Sequence, residues 1–134
     1  MKARIKNTAV KKLLAVGLTS ENEEQIRTVC AELGAALIAA SAEDMDKCPA
    51  ELFGENAYAD DPNGETAVPP ETEMLMFAGF DRRQLDDALD RLKAAGVRIP
   101  LKAVYTPHNR LWKLSHLIGE LRREHEYMTK GRQP

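Results

Sequence analysis

The sequence predicts an α/β domain made of two similar strand-helix-strand halves. Three observations predict it: short apolar segments that end at a glycine, amphipathic segments that run from an N-cap to a glycine, and the recurrence of this order later in the chain. Gly17 and Gly34 are seventeen positions apart, and so are Gly79 and Gly96. We therefore expect a four-stranded sheet with helices packed on it.

The first half opens with an apolar stretch, Lys12 to Gly17, whose length suits a buried strand. Ser20 and Glu23 have the spacing of a capping box, so a helix is predicted to begin at Ser20. Its apolar positions recur at helical spacing and end before a glycine stop: Ile26, Val29, Cys30, Leu33 and Gly34. Segment 35–40 is the second predicted strand.

The second half repeats this order. Met74 to Ala78 is predicted to be a strand, and Asp81 with Gln84 forms the capping box of the next helix. The apolar stripe and the glycine stop of that helix are Leu85, Ala88, Leu89, Leu92, Ala95 and Gly96. Segment 97–106 is the fourth predicted strand.

A shift of 62 positions brings the glycines and helix core of the second half onto those of the first. The shared phase favours an internal duplication, but general βαβ physics produces the same spacing, so both explanations stay open. Two assemblies also stay open. A doubly wound parallel sheet is preferred, because the additional short and long helices would cover its second face, and a ferredoxin-like antiparallel sheet with both main helices on one face is the alternative.

Two further segments close the halves. After a short helix capped by Ser41, the chain becomes acidic and proline-bearing, and 55–71 is predicted to be a mobile surface loop. The last helix is predicted to begin at Thr106-Pro107, since threonine suits an N-cap and proline the first helical position. Its wide apolar face comprises Leu111, Trp112, Leu114, Leu117, Ile118, Leu121 and His125. Such width predicts packing against the sheet and a second surface such as a partner subunit.

Length and composition predict one globular domain, 1–134, with 43% hydrophobic and 30% charged residues. Its parts are a first βα half (12–54), the acidic loop (55–71), a second βαβα half (72–128) and a tail (129–134). The net charge of -2 gives no general positive field, so nucleic acid is not the expected partner. Weak RNA binding through basic residues near both termini is the third hypothesis, and it would depend strongly on salt.

The compartment expected for this chain is the cytoplasm. Cys30 and Cys48 lack metal-site or redox-motif spacing, which favours two reduced thiols. The apolar run Leu13–Leu18 is too short for a signal peptide, and no stretch approaches the length of a membrane span.

The segment 99–112 is the most informative, because a predicted strand there runs directly into a predicted helix N-terminus. Such an end favours an anion, and open α/β sheets place ligands at the carboxyl ends of strands. The candidate ligand-binding residues are Lys102, Thr106, His108, Asn109, Arg110 and Trp112. The alternative is a purely structural role, in which these side chains cap the helix, fill the core or face solvent. This alternative is favoured because no glycine-rich loop brings the backbone close to a phosphate.

The same segment carries a family resemblance. Met74–Phe80, Leu101–Val104 and the pattern Lys-Ala-Val-x-Thr-x-x-Asn-x-x-Trp, followed by Glu124-His125, resemble small bacterial proteins known as the domain of unknown function numbered 3783. The resemblance spans about Thr72 to Tyr127 and implies no reaction, cofactor or partner. Its signature coincides with Lys102, Thr106, Asn109, Trp112 and Glu124.

Nothing in the sequence supports a catalytic or metal centre. His116, Glu120 and Glu124 share a helical face, but neighbouring basic residues favour i,i+4 ion pairs there over a metal site. No nucleophile elbow is present, so no catalytic residue, metal or cofactor is expected.

The function expected first is therefore that of a non-enzymatic binding or regulatory domain that self-associates through a sheet edge or its last helix. The alternative is a small anionic ligand or nucleotide bound at the junction 102–112. A homo-oligomer and a small anion are thus the partners expected, without a membrane.

Overall fold

The computed structural model describes residues 10–61 and 72–131. Its elements are β1 (Lys12–Val16), α1 (Ser20–Leu33), β2 (Ala36–Ala40), a 3-10 turn (Ala42–Asp44), α2 (Pro49–Leu52), β3 (Met74–Ala78), α3 (Arg82–Ala94), β4 (Leu101–Val104) and α4 (Leu114–Gly131). The α/β class and the alternating order of the two halves are confirmed. Most of the basic N-terminal run, the loop segment 62–71 and the end of the tail, 132–134, lie outside the described residues.

The four strands form one mixed sheet in the order β2-β1-β3-β4. Strand β1 pairs parallel with β2, and β3 pairs parallel with β4, so each half is a parallel βαβ unit. The halves join antiparallel through β1 and β3. A fully parallel sheet is therefore wrong at this pair, because a crossover helix imposes parallel pairing only within its own half.

The halves are related by a pseudo-twofold axis through the centre of the sheet. A shift of 62 positions carries β1 onto β3, and the antiparallel register pairs Leu14 with Met76, its equivalent under that shift. Gly17 and Gly79 are also equivalent, and at each of them the neighbouring backbone lies where a Cβ would stand. The halves diverge after their helices: two residues join α1 to β2, whereas six residues, 95–100, join α3 to β4.

Two apolar layers sandwich the sheet. Helices α1 and α3 share one face, as in the ferredoxin-like alternative, with Leu13 and Leu75 beneath them. Helix α4 and residues from Met45 to Phe53 cover the other face. No helix within residues 10–61 and 72–131 is long and apolar enough to cross a membrane.

The helix boundaries follow local signals, with one correction in α1. The Asp81–Gln84 capping box is confirmed, as are the left-handed glycines after α1 and α3. The predicted cap at Ser20 is wrong: Thr19 is the N-cap, and its Oγ1 accepts from Asn22 N at 3.1 Å. Glu23 pairs instead with Arg27 at 2.9 Å.

Strand β4 is shorter than the predicted 97–106. Val97 N donates to Leu92 O, and Val97 and Ile99 pack into the core beneath α3 before the strand begins. Pro100 has no N–H to give to a ladder, so pairing starts at Leu101.

Candidate functional site

The chain leaves β4 through a hydrogen-bonded turn rather than directly into a helix. Thr106 N donates to Asn109 Oδ1 at 3.0 Å, Asn109 N donates to Thr106 Oγ1 at 3.2 Å, and Asn109 Nδ2 donates to Val104 O at 3.1 Å. The predicted helix start at Thr106-Pro107 is therefore wrong. Thr106 does cap, but it caps this turn, and α4 begins eight residues later at Leu114.

The N-terminus of α4 is occupied by groups of the same chain. The Asp61 carboxylate accepts from Lys113 N at 3.2 Å, while the N–H groups of Leu114 and Ser115 donate to Lys47 O and Met45 O. The Asp61 side chain is only 4% exposed. An anion does stabilise this helix end, as the macrodipole favours, but the anion is a carboxylate of the chain itself.

Asp61 also holds the ring of His116. Its Oδ2 lies 2.5 Å from His116 Nδ1, within hydrogen-bonding distance. Trp112 stacks on that imidazole with centroids 4.4 Å apart, and His108 packs edge-on against Trp112 at 5.1 Å. The other nitrogen, Nε2, lies 3.8 Å from Glu120 Oε1. The described ranges contain no group of three or more His, Cys, Asp or Glu side chains arranged to hold a metal.

Arg110 is neutralised by Glu55, at the start of the acidic loop. Arg110 Nη2 lies 2.7 Å from Glu55 Oε1, and the Tyr105 hydroxyl donates to Glu55 Oε2 at 2.6 Å. These hydrogen bonds, Tyr105 first, hold the pKa of Glu55 below its ordinary value. Burial and the bond to Glu55 raise the pKa of Tyr105. The described part of the predicted loop, 55–61, is thus bonded to the junction at several points.

Lys102 lies apart from the other candidates. Because side chains alternate along a strand, Leu101 and Ala103 face α4 whereas Lys102 faces the α3 side. Its Nζ donates to Ile99 O at 2.6 Å. The structure therefore brings together five of the six candidates at one junction, namely Thr106, His108, Asn109, Arg110 and Trp112, and places the sixth on the opposite face.

Four polar residues at this junction were not among the candidates: Glu55, Asp61, Tyr105 and His116. Glu55 and Asp61 lie about fifty residues from their partners, and no periodicity or spacing in the sequence links them. Tyr105 was detectable, since it directly precedes Thr106. The junction is chemically a closed network, in which each carboxylate already meets a donor.

The fold and this junction define a domain of paired βαβ units closed by an additional helix. Residues 73–128 match the family model described as Domain of unknown function (DUF3783), which confirms the resemblance expected for the C-terminal half. No curated protein and no solved structure matches the chain. The matched segment runs from β3 into α4, so it contains the Thr106–Asn109 turn and the stacked Trp112.

Proposed function

We propose that the protein is a non-enzymatic binding or regulatory domain that forms a homodimer through the outer edge of β2, which pairs with no other strand among the described residues. The observation that carries the proposal is the sequence of this edge strand, Ala-Leu-Ile-Ala-Ala, which has no charge and no proline. Edge strands usually carry a lysine, a proline or a bulge that prevents pairing with another chain. Strand β2 has none of these devices.

The backbone of β2 has pairing groups to offer. Ala36 N donates to Lys11 O, so the N–H groups of alternate residues point toward β1 and those of Leu37 and Ala39 point outward. Two copies of β2 placed antiparallel about a twofold axis would pair these groups with each other, and no like charges would oppose them. Pairing would also bury more of the β2 side chains, namely the exposed Ala36 and Ala39 and the half-buried Leu37 and Ile38.

The opposite edge of the sheet supports the choice of β2. Strand β4 follows Pro100 and carries the exposed Lys102, which are two of the devices that block edge pairing. One open edge and one blocked edge give a closed dimer rather than a fibre.

The closed network at the junction supports a binding role over catalysis. Asn109 uses its backbone N–H and both ends of its side-chain amide within the turn, and Arg110 is paired with Glu55. A catalytic group needs a reactive atom that a substrate can reach. The anionic-ligand hypothesis for this junction stays a prediction.

Matched edge variants test the dimer. Ala39→Lys places a charge on the β2 edge at an exposed position, and Val104→Lys places the same charge on the β4 edge, where Val104 is 45% exposed. Light scattering coupled to gel filtration should show a dimer for the wild type and for Val104→Lys, and a monomer for Ala39→Lys. Circular dichroism should show that both variants stay folded.

Two results would contradict the proposal. A wild-type monomer at tens of micromolar concentration would remove the dimer, and a dimer that survives Ala39→Lys but not Val104→Lys would move the interface to β4.

We also propose that the protein works in a reducing cytoplasm and has a bacterial origin, as its family resemblance implies. Cys30 and Cys48 are buried and unpaired, and burial raises the pKa of the Cys30 thiol to about 11. A thiol in that state resists oxidation. Fractionation of the native cells should place the protein with cytoplasmic markers, and recovery with secreted proteins would contradict this assignment.

A further inference from the structure

A groove of about 670 Å³ lies between α3 and the start of β4, on the face away from the junction. Its floor is apolar: Leu89 and Pro100 present apolar surface to it, and the buried side chains beneath it are Leu75, Leu92, Val97 and Ile99. This volume falls within the range of roughly 300–1,000 Å³ that small-molecule sites occupy. The groove is therefore large enough for a small organic molecule.

Three cations border the groove: Lys93 on α3, Arg98 on the connection, and Lys102 on β4. All three are exposed, and none forms an ion pair with any residue that the structure describes. By contrast, Arg91, two residues earlier on α3, is bonded to both Asp87 and Glu32. The lining contains no acidic side chain, so its formal charge is wholly positive.

The first half of the fold shows that the βαβ unit does not require these cations. Under the shift of 62 positions, Lys93 corresponds to Ala31. By strand register, Lys102 corresponds to Leu37, because Leu101 pairs with Met74 as Ala36 pairs with Lys12. Arg98 belongs to the longer connection, which carries the second half from α3 to β4. The positive groove is thus specific to one half of a nearly symmetric domain.

We propose that this groove binds a small amphipathic anion, whose apolar chain or ring lies against the floor and whose carboxylate or phosphate meets Lys93, Arg98 and Lys102. Charge complementarity argues for the anion, and the apolar floor argues against a purely polar one. Lys102 retains two of its three N–H donors after the bond to Ile99 O. The site is independent of the β2 edge, so dimer and groove can be tested separately.

Calorimetric titration tests the groove with three probes: decanoate, decanol and acetate. Decanoate should bind. Decanol lacks the charge and acetate lacks the chain, so each should bind at least about tenfold more weakly. Changes in the amide NMR spectrum on adding decanoate should cluster at 89–102. Binding by decyl phosphate with affinity above that of decanoate would identify phosphate as the preferred headgroup.

A charge-removal variant supplies the second measurement. Exposed ion pairs contribute modestly, roughly 1.5- to 5-fold in affinity each, so removing all three charges with Lys93→Gln, Arg98→Gln and Lys102→Gln should weaken decanoate binding by about 3- to 100-fold. Arg83→Gln removes the same charge from the other end of α3 and should leave the affinity unchanged. All four substituted positions are exposed, so folding should persist.

Three outcomes would overturn the proposal. They are no decanoate binding at millimolar concentration, equal affinity for decanol together with an unaffected triple variant, and spectral changes that cluster away from 89–102.

Discussion

Alanine at Gly79 should destabilise the protein much more than alanine at Gly96, although both glycines have φ of +80°. At Gly96 a Cβ would meet nothing within 4 Å, so alanine there brings only left-handed backbone strain, about 1–2 kcal/mol. At Gly79 the same strain applies, and the Cβ would also lie 2.2 Å from Val10 O. That oxygen belongs to the backbone and cannot rotate away, so β1 and β3 must separate at this end.

The size of the second effect follows from the overlap. A separation of 2.2 Å is roughly 1 Å shorter than a van der Waals contact, and overpacking of this kind costs about 1–3 kcal/mol. Gly79→Ala should therefore cost about 2–5 kcal/mol in unfolding free energy. Urea unfolding followed by circular dichroism should show a midpoint for Gly79→Ala roughly 1 M below that of Gly96→Ala. Equal midpoints would refute the close approach of the strands.

Three further substitutions test the junction. Asp61→Ala removes the anion from the start of α4 and should lower the unfolding free energy by about 1–3 kcal/mol. The control is Asp60→Ala, which should change the unfolding free energy little because the Asp60 side chain is exposed and does not cap the helix. Equal urea midpoints for the two variants would contradict the capping role of Asp61. Glu55 has a lowered folded pKa, so its stabilisation is complete above its ordinary value of 4.5 and is lost as pH falls through the folded value. Glu55→Gln should accordingly make the urea midpoint less dependent on pH below 4.5, and an unchanged acid profile would contradict the pairing. Ser115→Ala removes a buried hydroxyl that has no hydrogen-bond partner in the described chain, so thermal unfolding should shift upward or stay unchanged, and a clear drop would show that the hydroxyl is bonded.

The helix boundaries and the repeated order of the two halves were predictable from the sequence, because contacts between neighbouring residues determine them. The capping box at Asp81 and the shift of 62 positions depend on neighbouring residues or on repeated spacing, and both reappear in the structure. Thr19 shows the limit of such signals, since two adjacent hydroxyl residues could cap α1 and only backbone geometry selects one. The antiparallel pairing of β1 with β3 follows a long connection, and no local signal in the sequence specifies whether β3 runs parallel or antiparallel to β1.

The candidate site was predictable as a location but not as a network. The residues from Thr106 to Trp112 do lie together, because they are close in sequence. Glu55 and Asp61 reach them from about fifty residues away, through a fold that no spacing rule specifies. Lys102 was misplaced for a simpler reason: a strand sends successive side chains to opposite faces, so one step along β4 moved it to the other side of the sheet.

The cations at the junction and those at the groove differ in whether the chain already pairs them, and this difference decides where an external anion would bind. The start of the last helix does hold an anion, but that anion is the Asp61 carboxylate of the chain itself. Arg110 is likewise satisfied by Glu55. An external anion gains little binding free energy from a cation that is already paired within the chain. It must first displace the chain's own carboxylate, which is tethered beside the cation and therefore has a high effective concentration. The lining of the groove beside α3 contains Lys93, Arg98 and Lys102 but no acidic side chain, so an external anion would meet no such competitor among its lining residues.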